Sequence, residues 1–405
     1  MKTKGDLYIM LPCIQIDTSS HNEYIIIDNN AELFLKELYE VAKYEFTSSL
    51  NDNLERSFLS KIRLVCKTDD RNNPIKIGEQ DAFVTITKYI DFYIINIIVV
   101  DVSVSLTHLL DQVSRRELII IENNKEVSFN KWINKFGFEP TGKAFFASFL
   151  SSLNKEDKEA NYIIAAEAFN NQDKNFIKSE MINTLLNKNH QQYSSYDAYM
   201  SECGITVKLN ELEKDNDYSE RLKTECLIIF IMELVILKIT AINAANNDII
   251  AYFSKEDISK NEINSINEQF SKSLSLWNIN HFNYLLAREF ANRVETAFKV
   301  NKFINVYEKN RIFLEQLINS KKMIIAENEE SVFRKFAIVL SILQTIPFLN
   351  TIFTKAFEGI KDILHILVLI ISFVLILILI ILLFRKKKNE QKKNLIPLFK
   401  KKIKS

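Results

Sequence analysis

The stretch Phe336–Phe384 reads FAIVLSILQTIPFLNTIFTKAFEGIKDILHILVLIISFVLILILIILLF, and its reading decides what fold to expect. Inside it, Ile363–Phe384 is an apolar run interrupted only by His365 and Ser372. About 20 helical residues cross a hydrocarbon core of roughly 30 Å, so the run predicts a membrane-spanning helix. The preceding Phe336–Phe353 is apolar but contains Ser341, Gln344, Thr345, Asn350, Thr351 and Pro347. At helical spacing Arg334, Ala337, Ser341, Gln344 and Thr345 share a face. Polar side chains within a span face a bundle interior or a water path, so this face predicts a pore-lining helix. The alternative is that the Ser and Thr hydroxyls bond their own helix while Gln344 packs against a neighbour. Phe348 is the candidate apolar constriction.

Charge sets the expected topology. The tail from Arg385 to Ser405 holds ten basic residues against Glu390 alone, whereas the link Thr354–Asp362 is neutral. Excess Lys and Arg marks a cytoplasmic flank, which predicts a multi-pass membrane protein with both termini cytoplasmic. Over the whole chain 52 basic residues nearly balance 51 acidic ones, so the part before the tail is net acidic. That argues against direct nucleic-acid binding.

Nothing in the residue patterns points to an enzyme. Cys13, Cys66, Cys203 and Cys226 are scattered, the five histidines are isolated, and six glycines are too few for a Gly-rich phosphate cradle. There is no CxxC pair, HExxH, P-loop or GxSxG, so neither a resident metal nor a cofactor is expected.

Working outward from the C-terminal run, the chain divides into four parts. Residues 1–210 read as a cytosolic α/β sensor domain, 211–335 as a helical stalk, 336–384 as a two-helix transmembrane hairpin and 385–405 as a basic cytoplasmic tail. The fold class expected is therefore α+β followed by long stalk helices and a hairpin. Strands are predicted at Tyr8–Ile16, Tyr24–Ile27, Ile62–Cys66, Ala82–Thr87, Phe92–Val102, Glu117–Ile121 and Ile205–Leu209. The run FYIINIIVVDV from Phe92 reads as a central strand buried on both faces. A helix is predicted over AELFLKELYEVAKYEF, with the stripe Leu33, Leu35, Leu38, Val41 and Ala42 and a cap at Asn29 or Asn30. Between Gly204 and Pro347 there is neither Gly nor Pro, which predicts long helices at Tyr218–Phe253, Asn261–Leu276, Phe282–Lys299 and from Lys302 onward. Glu233 and Lys238 interrupt the apolar Cys226–Ile239, which therefore reads as a buried helix.

This order of parts, with the stretch LSLWNINHFNYLLAREFANRVETAFKVNKFINVYEKNRIFLEQLI from Leu274, resembles the CorA family. The resemblance implies a homopentameric channel of a bacterial inner membrane whose stalk helix continues into the pore. That family's Gly-Met-Asn at the outer end of the first membrane helix corresponds here to Pro347-Phe348-Leu349-Asn350, of which only Asn350 matches. The segments YIIAAEAF from Tyr162 and YSSYDAYMSECGITVKLN from Tyr193 resemble the CorA-like effectors linked to type III CRISPR loci. That branch implies an antiviral channel gated by S-adenosylmethionine joined to AMP. Such a messenger needs aromatic faces, a cationic phosphate partner and a carboxylate or ring for its sulfonium. Arg115, Arg116, Tyr193, Tyr196, Tyr199 and Glu202 are the candidates. The competing expectations are a CorA-type magnesium transporter, for which a divalent cation is the cargo, and a tail-anchored membrane scaffold.

Overall fold

The computed structural model describes residues 5–16, 28–46, 54–67, 75–104, 106–150, 190–193, 196–209, 218–253, 261, 264–268, 271 and 282–356. The chain packs as two units, Met1–Ile312 and the remainder from Phe313.

The first unit is organised by one mixed sheet of eleven strands. They are β1 (Gly5–Gln15), β2 (Leu54–Lys67), β3 (Lys76–Tyr89), β4 (Phe92–Val99), β5 (Ile119–Glu122), β6 (Lys125–Ser128), β7 (Phe138–Pro140), β8 (Phe145–Leu150), β9 (His190–Gln192), β10 (Tyr196–Met200) and β11 (Gly204–Leu209). Their order is β6-β5-β2-β3-β4-β1-β8-β11-β10-β9, and β7 pairs with β1 beyond the end of β8. Among the described strands only the β8–β11 pair is parallel.

Six helices are described: α1 (Asn29–Glu45), α2 (Leu106–Ser114), α3 (Phe129–Asn134), α4 (Tyr218–Phe253), α5 (Leu285–Ala297) and α6 (Val300–Ala356). Successive side chains of a strand point to opposite faces, and β1 shows what each face meets. Leu7 and Ile9 join a core closed by Leu109 and Leu110 of α2 and Phe129, Trp132 and Ile133 of α3. Tyr8 points the other way, toward Phe34 of α1 and Glu225 of α4. Helices therefore cover both faces, and β4, buried from Tyr93 to Val99, runs through the middle.

The local chemistry explains the elements. Asp28 caps α1, its Oδ1 accepting from the backbone N–H of Asn30 (3.0 Å) and Ala31 (3.1 Å). The cap thus lies one residue before the expected asparagines. The buried stripe is Ala31, Phe34, Leu38 and Ala42, with Leu33, Leu35 and Val41 as half-buried flanks. Helix α4 matches the expected Tyr218–Phe253 and is apolar around its circumference, as a helix enclosed on all sides must be. The β5–β6 hairpin turns on Asn123 and Asn124, both at positive φ (50° and 62°), as a two-residue type I′ turn requires. The expected strand at Tyr24–Ile27 lies outside the described residues, as does most of the expected helix Asn261–Leu276.

The β3–β4 hairpin breaks this rule. Tyr89 pairs with Phe92, leaving Ile90 and Asp91 as the loop, and Ile90 adopts φ 55°. Left-handed backbone costs an L-residue about 1–2 kcal/mol, and a β-branched side chain is among the worst there. Glycine removes that cost but loses backbone entropy. Ile90→Gly is expected to raise stability by about 0.5–1 kcal/mol, read as a higher urea midpoint; a lower midpoint would show that the Ile90 side chain contributes packing.

The expected fold, an α+β domain with a helical stalk and transmembrane hairpin, is corrected here. The described residues form a mixed sheet with helices on it, and no helix among them is long and apolar enough to cross a membrane. The most apolar of them, α4, is enclosed by protein and carries Glu225, Glu233 and Lys238 in its buried length. The described side chains of α6 include Glu315, Glu327, Glu330, Arg334 and Lys335, each costly in hydrocarbon. The membrane, transmembrane and ion-channel readings and the multi-pass inner-membrane location fall with that correction. Ile363–Phe384 and the basic tail lie outside the described residues. Within the second unit, the Ser341 hydroxyl donates to the Ala337 carbonyl at 2.9 Å, so it satisfies its own helix. Gln344, Thr345, Phe348, Asn350 and Thr351 belong to the backbone of α6, but their side chains lie outside the described residues.

Candidate functional site

Three aromatic side chains meet where the β9–β10 edge of the sheet faces α5. The Tyr193 N–H donates to the Tyr196 carbonyl at 2.9 Å, closing the turn between the strands. That turn brings the Tyr193 and Tyr196 rings to a centroid distance of 4.7 Å at an interplanar angle of 32°. Phe290 of α5 lies 6.0 Å from Tyr193. Both tyrosines are half-buried and Phe290 is buried.

Helix α5 is held in place from both ends. Ala287, Phe290, Ala291 and Val294 form its buried stripe. At its start Arg288 Nε donates to the Phe282 carbonyl (2.8 Å), and toward its end Glu295 accepts from Lys238 of α4 (2.6 Å). This leaves Glu289 and Arg293, one turn apart and exposed, acting electrostatically on Tyr193. Burial pushes the Tyr193 phenol up, Arg293 opposes the shift and Glu289 reinforces it, so the phenol stays protonated and its ring neutral. The result is an aromatic platform with one cation and one carboxylate beside it.

Only two of the six expected ligand residues meet. Tyr199 is one residue out of phase with Tyr196 across the pleat and is buried in the α2–α3 core. Glu202 forms an ion pair with Lys299. Arg115 pairs with Asp111 one turn back at 2.6 Å, and Arg116, at φ 60°, donates to the Gly142 carbonyl at 2.7 Å. These arginines lead into β5, which six strands separate from β10. Phe290, Glu289 and Arg293 were not anticipated, because their link to Tyr193 is a contact across the fold.

Two polar nodes lie buried between the sheet and α4. In the first, Glu233 Oε2 accepts from Arg56 Nε (3.2 Å) and Nη2 (2.9 Å), while Oε1 accepts from the Thr87 hydroxyl (2.6 Å) and the Asn96 amide (2.9 Å). The register pairs Arg56 with Thr87, and Asn96 lies on the next strand, so β2, β3 and β4 each send one polar group to the same carboxylate. In the second, the Tyr8 hydroxyl donates to Glu225 Oε2 at 2.6 Å, and Asp6 accepts from Arg221 at 3.2 Å.

The buried thiols are poor nucleophiles. Burial pushes Cys66 up to about 12 and holds Cys13 and Cys226 well above the ordinary thiol range. Among the described residues no group of three or more His, Cys, Asp or Glu side chains is placed to hold a metal ion. No protein-family model, curated protein or solved structure matches this chain.

Proposed function

We propose that this chain is a non-enzymatic, ligand-responsive regulatory module that takes up a small adenine-nucleotide messenger at the Tyr193–Tyr196–Phe290 platform. The observation that carries this reading is the half-buried tyrosine pair with Arg293 and Glu289 beside it. An adenine stacks on the ring pair, Arg293 meets a phosphate, and Glu289 meets a cationic centre such as a sulfonium. S-adenosylmethionine joined to AMP has all three groups. The response follows from where the platform sits. Phe290 is on α5, α5 is tied to α4 through Glu295 and Lys238, and α4 is pinned to the sheet by Glu233. A ligand that prefers one arrangement of β10 and α5 therefore biases α4 as well.

Base–aromatic stacking is worth about 1–3 kcal/mol per base by alanine substitution, so Tyr196→Ala is expected to weaken binding at least about fivefold. Isothermal titration of the full chain with that conjugate measures it, and Tyr196→Phe should retain most of the affinity. No binding by the unmodified protein would dispose of the messenger, and equal affinity in the alanine variant would dispose of the platform.

A further inference from the structure

The second polar node contains a carboxyl group for which the regulatory reading has no use. Glu225 is fully buried, and its Oε2 accepts the Tyr8 hydroxyl, while its Oε1 makes no hydrogen bond of ordinary geometry. Asp6, 1% exposed, lies on the same strand as Tyr8, two residues away and on the same side of the node. Its Oδ1 accepts the Asp101 backbone N–H at 2.8 Å, and its Oδ2 faces Arg221 at 3.2 Å. Arg221 also reaches Asp101 Oδ1 at 3.5 Å, and Asp101 is exposed. The rings of Phe34 (5.7 Å) and Phe149 (5.5 Å) close over Tyr8 and keep water from its hydroxyl.

Two buried carboxyl groups thus share one guanidinium. If both ionise, the node holds an uncompensated buried negative charge, which is costly. With one proton between them it is neutral, and the carboxyl of Glu225 becomes a donor toward Asp6. We propose that Asp6, Tyr8, Arg221 and Glu225 form a proton-holding clasp that fastens the first turns of α4 to β1 and opens when its proton leaves. The charged and titratable groups facing Glu225 are Asp6 and Tyr8 from β1 and Arg221 from α4. Asp101, after β4, acts through Arg221, and Glu37 of α1 lies toward the neighbouring Cys226. Burial first and the Asp6 charge second push Glu225 well above the ordinary carboxylate range, against the pull of Tyr8 and Arg221.

A group raised on folding contributes stability that is fully present below its unfolded value, about 4.3 for glutamate, and lost as pH rises through the folded value. Glu225→Gln mimics the protonated form, since its amide oxygen accepts from Tyr8 and its N–H donates toward Asp6. The full-chain urea midpoint of this variant should exceed that of the unmodified protein by a margin that widens as pH rises above about 4.3 and then levels off. Parallel midpoint profiles would overturn the clasp, as would a Gln variant that fails to fold. The infrared spectrum of the folded protein near neutral pH should show a protonated-carboxyl band that Glu225→Gln removes. As alkali bleaches this band, amides in the first two turns of α4 should exchange faster than in the Gln variant at the same pH. Absence of the band, or bleaching without faster exchange, would overturn the proposal.

Discussion

Glu233→Ala should lower the stability of the folded chain by about 3–5 kcal/mol, the cost of removing one partner from a buried ion pair. Glu233 is fully buried and accepts four hydrogen bonds from three strands. Without it, the Arg56 guanidinium keeps its charge with its side chain only 9% exposed. The Thr87 hydroxyl and Asn96 amide lose an acceptor in the same place, and each unsatisfied group costs about 1–3 kcal/mol. Glu233→Gln keeps an acceptor for the strand donors but not the charge for Arg56, so its cost should lie between alanine and none. Replacing both Arg56 and Glu233 by leucine should cost less than Glu233→Ala, because no orphan charge remains and only the Thr87 and Asn96 donors still lack their acceptor. Urea unfolding of the full chain measures all three. A loss under about 1 kcal/mol for Glu233→Ala would mean that the node contributes little and Arg56 finds water.

How much of this was legible depended on whether the signal was local. The run from Phe92 showed its strand through length and β-branched content, and the absence of Gly and Pro between Gly204 and Pro347 pointed to long helices, of which α4 is one. Asn123-Asn124 is a legible hairpin turn, since paired asparagines tolerate positive φ. Strand β8 was not legible in this way. FFASFL is a short apolar run of the kind that periodicity alone does not assign to strand or buried helix, and its partners β1 and β11 lie far off in sequence. The membrane expectation had a related cause. It rested on the apolar content of Phe336–Phe353 and Ile363–Phe384, and hydropathy reports only that a segment must be covered by something apolar, not what covers it. At the candidate site, three tyrosines close together suggested one ligand face. The pleat divides them, with Tyr196 against Tyr193, which meets α5, and Tyr199 in the α2–α3 core.

Phe230→Ala is expected to cost about 3–5 kcal/mol, the usual range for emptying a buried phenylalanine site. The ring stands one turn before Glu233 on α4, and Phe46 (5.9 Å, 81°) and Phe282 (6.4 Å, 71°) pack edge-on against it. Phe46 and Phe282 also meet each other at 4.9 Å and form an isolated β-bridge, so this trio joins the end of α1 to the approach to α5. The Arg56 guanidinium sits 5.7 Å above the Phe230 ring, close enough for a cation–π contact of about 0.5–2 kcal/mol at a desolvated site. Phe230→Leu fills most of the volume but loses that contact and the edge-on ring geometry, so about 1–1.5 kcal/mol is expected. Because Arg56 touches both Phe230 and Glu233, the two alanine substitutions should not add. Once Glu233 is gone, Arg56 has lost its anchor, and removing the ring should cost less than it does alone. The double-mutant cycle should therefore show a coupling of about 0.5–3 kcal/mol. Strict additivity would mean that Arg56 is held by only one of them, and that the carboxylate and the aromatic trio stabilise α4 independently.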